Sequence, residues 1–296
     1  MPLSPKPFLS PLMNRKMPDS ALAALKSAIL RLKNAGVDEA ELDAKYIVCH
    51  VLGVPAHALY TDASLTISRK QQRTIDAMLN KRVQGRPVQY ILGDQAFYGL
   101  SFKVSPHVLI PRPETELLVE KVLEKAKDFA APSILDLCTG SGCIAVAIKS
   151  KLAKAAISAS DISFFALWTA RKNAQLNHTD VRFLKSNLFG QISGRFDIIV
   201  TNPPYINQSD YAALDPKVRN FEPKGALLGG QDGLDLIRRI IRQAPEHLKA
   251  GGWLLMEMGH DQREAAERMM AENGFAEIQT FQDYSGFDRI VTGKKN

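Results

Sequence analysis

The sequence predicts an α/β protein in which a doubly wound, mostly parallel sheet follows a small helical domain. Three observations predict it: helical periodicity up to about residue 85, alternating strands and helices from Ser133 onward, and a proline pair that ends one of those strands. Such alternation is typical of a parallel sheet with helices on both faces. The length of 296 residues is that of about two domains.

Residues 19–92 have the periodicity of a small helical bundle. The first helix is expected to be capped by Asp19 or Ser20 and to end at Gly36. The second is expected to be capped by Asp38 and to end at Gly53, and the third to be capped by Ser68 and to end at Gly85. The side chains of the second helix that we expect to face inward are Leu42, Tyr46, Val48 and Val51. A domain of this kind is suited to recognising a macromolecule rather than to performing chemistry.

A β-hairpin linker is expected at residues 93–110, because residues 97–104 and 108–110 alternate like two short strands. The second domain then spans residues 111–296. It opens with Pro111-Arg112-Pro113-Glu114-Thr115-Glu116, where a proline in the first turn and two early acids indicate the start of a helix.

The alternation of strands and helices in the second domain predicts a doubly wound sheet. Strands are expected near residues 133–137, 156–160, 181–185, 196–200, 252–257, 276–281 and 289–291. Helices are expected near residues 142–151, 163–176, 232–249 and 261–273. The intervening residues 205–231 show little regular pattern, and long loops inside compact domains are usually functional, so we expect them to grip a substrate.

The segment Asn202-Pro203-Pro204-Tyr205 directly follows a strand and carries the strongest functional signal. Two prolines cannot continue a central strand, so the chain must leave the sheet at its carboxyl end, where ligands of such sheets bind. The Asn202 side-chain oxygen and the Pro203 carbonyl could accept both hydrogens of an amide or exocyclic amine, beside a flat wall at Tyr205. An ordinary Asn-Pro turn is the alternative explanation.

A glycine-rich loop, Cys138-Thr139-Gly140-Ser141-Gly142, lies between a strand and a helix. Its glycines permit a tight turn and a close ligand, and Asp161 at the end of the next strand could accept both hydroxyls of a ribose. The same glycines fit a nicotinamide dehydrogenase. Asp136 disfavours that enzyme, since a carboxylate before the loop would repel a pyrophosphate but could accept from an ammonium group.

Together these residues resemble an S-adenosylmethionine-dependent methyltransferase with the Asn-Pro-Pro-Tyr motif of amine methylation. The match narrows to the release factor glutamine methyltransferases through residues 111–116, Phe221-Glu222-Pro223 and residues 229–234. It extends from about residue 20 to the end of the chain. It implies S-adenosyl-L-methionine as the cofactor, and as the methyl acceptor the glutamine of the Gly-Gly-Gln loop of peptide chain release factors.

The resemblance also implies a role for each matching residue. Asn202, Pro203 and Tyr205 are expected to be catalytic. The expected substrate-binding residues are Arg112, Asn202, Pro203, Pro204 and Tyr205. The expected cofactor-binding residues are Cys138, Thr139, Gly140, Ser141, Gly142, Asp161, Asn187, Leu188 and Asn202. The family usually has Asp where this chain has Asn187, so we expect an altered contact with the adenine amino group.

Other activities remain open on the sequence alone. The loop at residues 136–143 also resembles a paralogous group that methylates a glutamine of a large-subunit ribosomal protein, although that group has Pro-Arg-Ser-Pro at residues 111–114. An adenine-N6 nucleic-acid methyltransferase could use the same acceptors, but it predicts a strongly basic recognition domain, and residues 19–85 contain many acids. A non-catalytic adaptor is disfavoured by the intact Asp161, Asn202 and Tyr205.

Composition narrows the remaining possibilities. A hydrophobic content of 45% and a charged content of 23% are those of a globular protein, and no apolar run is long enough to span a membrane. The three cysteines have neither metal-ligand nor disulfide-framework spacing, so we expect no metal and a reducing cytoplasm. The net charge of +7 indicates an acidic or nucleic-acid partner only weakly. We expect a monomer without a stable nucleic-acid partner.

Residues 1–18 differ from the rest of the chain in being rich in proline and free of acidic residues. The prolines are incompatible with a stable helix. We expect a disordered tail or an early assigned start, with Met13 or Met17 as the true first residue.

Overall fold

The computed structural model describes residues 20–296, which separate into two compact units with a boundary after Val88. Residues 1–18 and Asp19, the alternative first cap, lie outside the described residues.

The first unit is helical. Its helices are α1 (Ala21–Asn34), α2 (Ala40–Leu52), α3 (Ala58–Thr61) and α4 (Arg69–Val83). The Ser20 hydroxyl caps α1 by accepting from the Ala23 amide, and Ser68 forms a reciprocal capping box with Gln71 at the start of α4. The predicted caps Ser20 and Ser68 are thus confirmed. Helix α2 instead begins after Glu39, not Asp38, and α3 had no signal in the sequence.

The inward face of α2 differs from the expected one. Leu42 and Tyr46 are 37% and 45% exposed, whereas Ala44, Ile47 and Val48 are buried. The reason is that α2 turns Asp43 into the core, where its carboxylate pairs with Arg82 of α4 at 2.5 Å. This buried ion pair rotates Leu42 and Tyr46 to the surface, so their predicted burial was wrong.

Removing one partner of a buried ion pair leaves the other charge uncompensated. We therefore expect Asp43→Ala to lower the free energy of unfolding of the helical unit by about 3–5 kcal/mol in denaturant titrations. Glu41→Ala is the matched control, since Glu41 pairs with Lys33 on the exposed side of the same helix and should change stability little. Equal losses in the two variants would contradict this role of Asp43.

A tight hairpin lies near the start of the second unit. It follows α5 (Val88–Leu92) and pairs β1 (Asp94–Phe97) with β2 (Leu100–Lys103). Tyr98 and Gly99 form the turn with φ of 50° and 73°, as a two-residue hairpin turn requires. The second strand expected at residues 108–110 is absent, because the local turn pairs the chain earlier; Val108 and Ile110 are instead buried beside Ala166 without strand pairing.

The rest of this unit is the predicted sheet with its helices. Its elements are α6 (Glu114–Lys125), β3 (Ser133–Leu137), α7 (Cys143–Lys151), β4 (Ala156–Asp161), α8 (Phe164–Leu176), β5 (Arg182–Lys185), β6 (Phe196–Thr201), α9 (Gln208–Ala213), α10 (Pro216–Arg219), α11 (Asp235–His247), β7 (Leu248–Glu257), α12 (Arg263–Glu272), β8 (Phe275–Gln282) and β9 (Asp288–Lys295). The strand order is β5-β4-β3-β6-β7-β9-β8. The first five strands are parallel, and β8 and β9 form an antiparallel edge. The doubly wound fold class is confirmed.

Alternation along the strands divides the core between the two faces of the sheet. In β3, Ile134 packs with α6 and α7 on one face, while Leu135 packs with α11 on the other. Strand β6 alternates in the same way, with Ile198 on the first face and Ile199 on the second. The parallel strands are therefore covered on both faces, which explains their continuous apolar runs.

The register brings the carboxyl ends of the central strands to one edge. Leu137 of β3 pairs with Ser160 of β4 on one side and with Thr201 of β6 on the other, and Thr201 pairs with Met256 of β7. Since β4 and β6 lie on opposite sides of β3, the strand order reverses there, and such reversal points form ligand crevices. No helix within residues 20–296 is long and apolar enough to cross a membrane.

Candidate active site

A cavity of about 540 Å³ opens at the carboxyl edge of the sheet, at the ends of β3, β4 and β6. Of the expected cofactor-binding residues, Cys138, Thr139, Gly140, Ser141, Asp161, Asn187, Leu188 and Asn202 line it. Arg112 and Pro204 of the expected substrate-binding set also line it. Gly142, Pro203 and Tyr205 are not among the lining residues. Residues scattered over more than ninety positions of sequence are thus brought to one cavity.

Gly142 is not part of the cavity lining and is the N-cap of α7. Its φ is 81°, and a Cβ placed there would lie 2.9 Å from the Ala170 Cβ of α8. Glycine is therefore required twice, for the left-handed backbone and for the close approach of α7 to α8. Its contribution to the site is to set the position of the loop.

The Asp161 carboxylate joins the glycine loop to the end of β4. One oxygen accepts from the Gly140 amide at 2.9 Å, and the other accepts from the Ser163 amide at 2.8 Å. Each oxygen keeps a further lone pair, so the carboxylate can also accept from two ligand hydroxyls. Burial raises the pKa of this carboxyl despite the two amide contacts.

Asp136 lies fully buried at the end of β3, beneath the loop and outside the cavity lining. Its Oδ2 accepts from the Thr139 hydroxyl at 2.6 Å, while its Oδ1 has no hydrogen-bond partner within residues 20–296. Burial is the main cause that raises the pKa of Asp136 to about 7. A buried carboxylate beside this loop would favour a ligand that carries an ammonium group through its charge rather than by direct contact.

Asn187 has a partner that sequence reasoning missed. The Arg239 guanidinium of α11 lines the cavity and donates to the Asn187 Oδ1 at 3.2 Å. The amide oxygen therefore has one lone pair left for a ligand. An arginine on a surface helix gives no sequence signal of such a contact, because its side chain reaches the loop only in the folded sheet.

Asn202 belongs to a chain of hydrogen bonds that ends on a buried acid. Its Nδ2 donates to the Thr115 Oγ1 at 3.2 Å, and the Thr115 hydroxyl donates to the Glu257 Oε2 at 2.7 Å. The Tyr205 hydroxyl donates to the other Glu257 oxygen at 3.2 Å. Glu257 is 1% exposed, and burial raises its pKa. Sequence reasoning missed both Thr115 and Glu257, although Glu257 ends a predicted strand at the ligand edge.

Arg112 connects two distant motifs. Its guanidinium pairs with the buried Glu222 carboxylate at 2.5 Å, and the second Glu222 oxygen accepts from the Ile110 amide at 3.3 Å. The Pro-Arg-Pro and Phe-Glu-Pro segments are therefore held together at the cavity. Arg112 has exposed surface left for a ligand, whereas Glu222 does not.

The segment after Tyr205 returns to the site and closes on it. The Gly229 amide donates to the Ile206 carbonyl at 2.8 Å, and the buried Gln262 donates to the Tyr205 carbonyl at 2.9 Å. A Cβ on Gly229 would lie 2.6 Å from the Pro204 carbonyl oxygen, so glycine is required for this packing. The segment contains α9, α10 and one 3-10 turn, and so has more regular structure than expected.

The two thiols near this cavity are not activated as nucleophiles. Burial raises the pKa of both Cys138 and Cys143 to about 12, which leaves their thiols protonated and weakly nucleophilic. No group of three potential metal ligands occurs within residues 20–296.

The close contact at Gly142 generates a stability prediction. Gly142→Ala should lower the free energy of unfolding more than Gly194→Ala does, since both glycines have a positive φ but a Cβ at Gly194 meets no atom within 4 Å. Overpacking adds about 1–3 kcal/mol to the cost of the strained backbone. Denaturant unfolding of both variants measures the difference. Equal costs would show that the approach of α7 to α8 does not require glycine.

The buried Asp136 generates a pH prediction. Its folded pKa of about 7 lies above the ordinary value of 3.8, so the folded state binds a proton that the unfolded state releases. The stability contribution of this group therefore falls as pH rises from about 4 to about 7. Asp136→Asn cannot titrate, so the Tm of the variant should rise relative to the wild type across this window and then level off. A Tm difference that is constant from pH 4 to pH 8 would contradict the buried charge.

Two family models match the chain. The model described as "PrmC N-terminal domain" matches residues 23–93, and "Methyltransferase small domain" matches residues 113–217. Among solved structures, a methyltransferase from Pyrococcus furiosus has a TM-score of 0.50 at 18% identity, covering 77% of this chain and 100% of that one. The hMettl16 catalytic domain has a TM-score of 0.53 at 15% identity, covering 78% and 83%. These structures share the methyltransferase fold.

Curated relatives match over nearly the whole length. The release factor glutamine methyltransferase of Geobacter sulfurreducens is 40% identical over 264 residues, covering 89% of this chain and 92% of the relative. That of Agrobacterium fabrum is 41% identical over 279 residues, covering 92% and 96%. This agreement in length, fold and motifs shows that the chain belongs to the release factor glutamine methyltransferase family.

Proposed function

We propose that this protein methylates the side-chain amide nitrogen of the glutamine in the Gly-Gly-Gln loop of peptide chain release factors. The observation that carries the proposal is the orientation of Asn202 at the cavity. Its Nδ2 is occupied by Thr115, so its Oδ1 is left as an acceptor at the carboxyl edge of the sheet. The names of the relatives support release factors as the substrate class.

The protein's main contribution would be to hold a weak nucleophile in place. The Asn202 Oδ1 and the Pro203 carbonyl would accept the two hydrogens of the substrate amide and so raise the electron density on its nitrogen. Orientation of this kind can supply about 7–11 kcal/mol of a reaction barrier. Tyr205 would support the site through its hydrogen bond to Glu257, and Arg112 would contact the substrate loop.

The methyltransferase domain takes S-adenosyl-L-methionine as its methyl donor. When bound, this cofactor supplies a methyl group on a positively charged sulfur; its transfer to the amide nitrogen would break the sulfur–methyl bond, leave the sulfur as a neutral thioether and release one amide proton to solvent. Asp161 would accept from the ribose hydroxyls, Asn187 and Leu188 would contact the adenine, and the glycine loop would bind the amino-acid portion. The Asp136 carboxylate, buried beneath the loop, would favour that portion's ammonium group through its charge.

The proposal also covers the compartment, the oligomeric state and the partners of the protein. We place the protein in the cytoplasm as a monomer without a stable nucleic-acid partner. Its three cysteines are free thiols, which suits a reducing compartment.

The test is transfer of labelled methyl from S-adenosylmethionine to unmodified release factor. A release factor with Gly-Gly-Ala in its loop is the control. We expect label on the first protein and none on the second. Label on both would place the methyl group elsewhere in the release factor. No label on either, with cofactor binding intact, would contradict release factors as substrates and favour the ribosomal protein.

The role of Asn202 gives a separate prediction. Asn202→Ala should lower kcat by about 100-fold or more, as loss of one preorganised polar contact to a reacting group does. Cofactor affinity should fall far less, because Asp161, the glycine loop and Asn187 stay in place. Steady-state kinetics and cofactor titration measure the two effects. Parallel losses of turnover and cofactor affinity would assign Asn202 to cofactor binding instead.

A further inference from the structure

The side-chain amide of Asn202 can present either an oxygen or an NH2 group to the cavity, and only one choice suits the reaction. The two ends of an amide have nearly the same shape, so packing alone does not select between them. An NH2 group facing the hydrogens of a substrate amide would oppose donor to donor. Some other contact must therefore hold Asn202 in the useful orientation.

The hydrogen bonds behind Asn202 have a defined direction. An ionised carboxylate only accepts, and the nearby Arg289 guanidinium favours the ionised form of Glu257, so the Thr115 hydroxyl proton is directed to the Glu257 Oε2 at 2.7 Å. The Thr115 oxygen is then left to accept, and Asn202 must offer its Nδ2, at 3.2 Å. Glu257 thereby determines, through Thr115, which end of the Asn202 amide faces the cavity.

The Thr115 hydroxyl has no competing structural task in its own helix. Thr115 lies in the first turn of α6, and no side chain caps that helix. Its amide bonds to the Arg112 carbonyl, and its hydroxyl is used only toward Glu257 and Asn202 among the contacts of the described residues. Threonine at this position is thus explained by the contact with the site rather than by the start of the helix.

Burying the Glu257 carboxylate costs free energy of folding. It is 1% exposed at the end of β7, where the Thr115 and Tyr205 hydroxyls and the Arg289 guanidinium are polar groups near its carboxylate. Buried charges are often replaceable by apolar residues without loss of stability, so a buried acid with two hydroxyl donors is better explained by function. Its second donor, the Tyr205 hydroxyl, belongs to the same Asn-Pro-Pro-Tyr segment as Asn202.

We propose that Thr115 and Glu257 are positioning residues that fix the Asn202 amide with its oxygen toward the substrate nitrogen. This inference rests on the proposed function for the identity of the substrate group. The hydrogen bonds that link Glu257, Thr115 and Asn202 lie within this chain and do not depend on the identity of the substrate.

The test compares Thr115→Val, which keeps the shape but removes the hydroxyl, with Thr115→Ser, which keeps the hydroxyl. We expect Thr115→Val to lower kcat for release factor by about 100-fold, the size of effect seen when a positioning group is lost. The KM for release factor and the Kd for S-adenosylmethionine should change little. Thr115→Ser should stay close to the wild type. Thr115→Ala, which removes the hydroxyl without filling its place, should behave like Thr115→Val and is the substitute if valine does not fold.

Three kinetic outcomes would overturn the proposal. They are a near-normal kcat in the folded variants without a hydroxyl, equal losses in the serine and valine variants, and a loss of cofactor affinity that matches the loss of kcat. The second would assign Thr115 a packing role, and the third would mean that the cavity itself had changed.

A second readout needs no substrate, so it separates failure of this inference from failure of the proposed function. In 15N-labelled protein, the side-chain NH2 resonances of Asn202 report the hydrogen bond to Thr115. We expect matching resonances in the wild type and in Thr115→Ser, and shifted ones in Thr115→Val. Unchanged Asn202 resonances in Thr115→Val would overturn the inference whatever the protein methylates.

Discussion

The parallel register of the central strands is the constraint on which the site depends. Leu137, Ser160, Thr201 and Met256 are linked as register partners across four neighbouring strands, and the functional groups follow these positions directly. Each residue along a strand advances about 3.3 Å, so a slip of one residue would carry a group out of hydrogen-bond reach and turn it to the other face. The apolar faces packed on both sides of the sheet make such a slip costly.

Three acidic residues lie at this same edge of the sheet, and the fold buries most of their surface. Asp136, Asp161 and Glu257 all have a pKa raised chiefly by burial, and the Asp161 charge also raises the pKa of Asp136. A positively charged ligand would stabilise the ionised forms of neighbouring carboxyl groups. The methyl donor carries such a charge. Binding of the cofactor to the folded protein would therefore stabilise it, as linkage requires.

Features with local signals were predictable from the sequence, and features that depend on distant partners were not. Apolar runs and turn residues predicted the seven strands of the main sheet, and the proline pair predicted that Asn202 lies at the ligand edge. The inward turn of Asp43 could not be predicted without Arg82 of another helix. Likewise, Asn202 was predictable as an acceptor, but its orientation depends on Glu257 at the end of a later strand.

The segment between Ile206 and Leu228 leaves the sheet and returns to the same place, because these two residues form a bridge at its base. Below that bridge, Gly229 and Gln262 pack on the backbone of the Asn-Pro-Pro-Tyr segment. Helices α9 and α10, ahead of the buried Glu222, have no buried residues, so changes of length there cost mainly loop entropy, about 0.6 kcal/mol for each doubling. A different α9 and α10 could therefore suit a different protein target without disturbing the Arg112–Glu222 pair or the groups at Asn202.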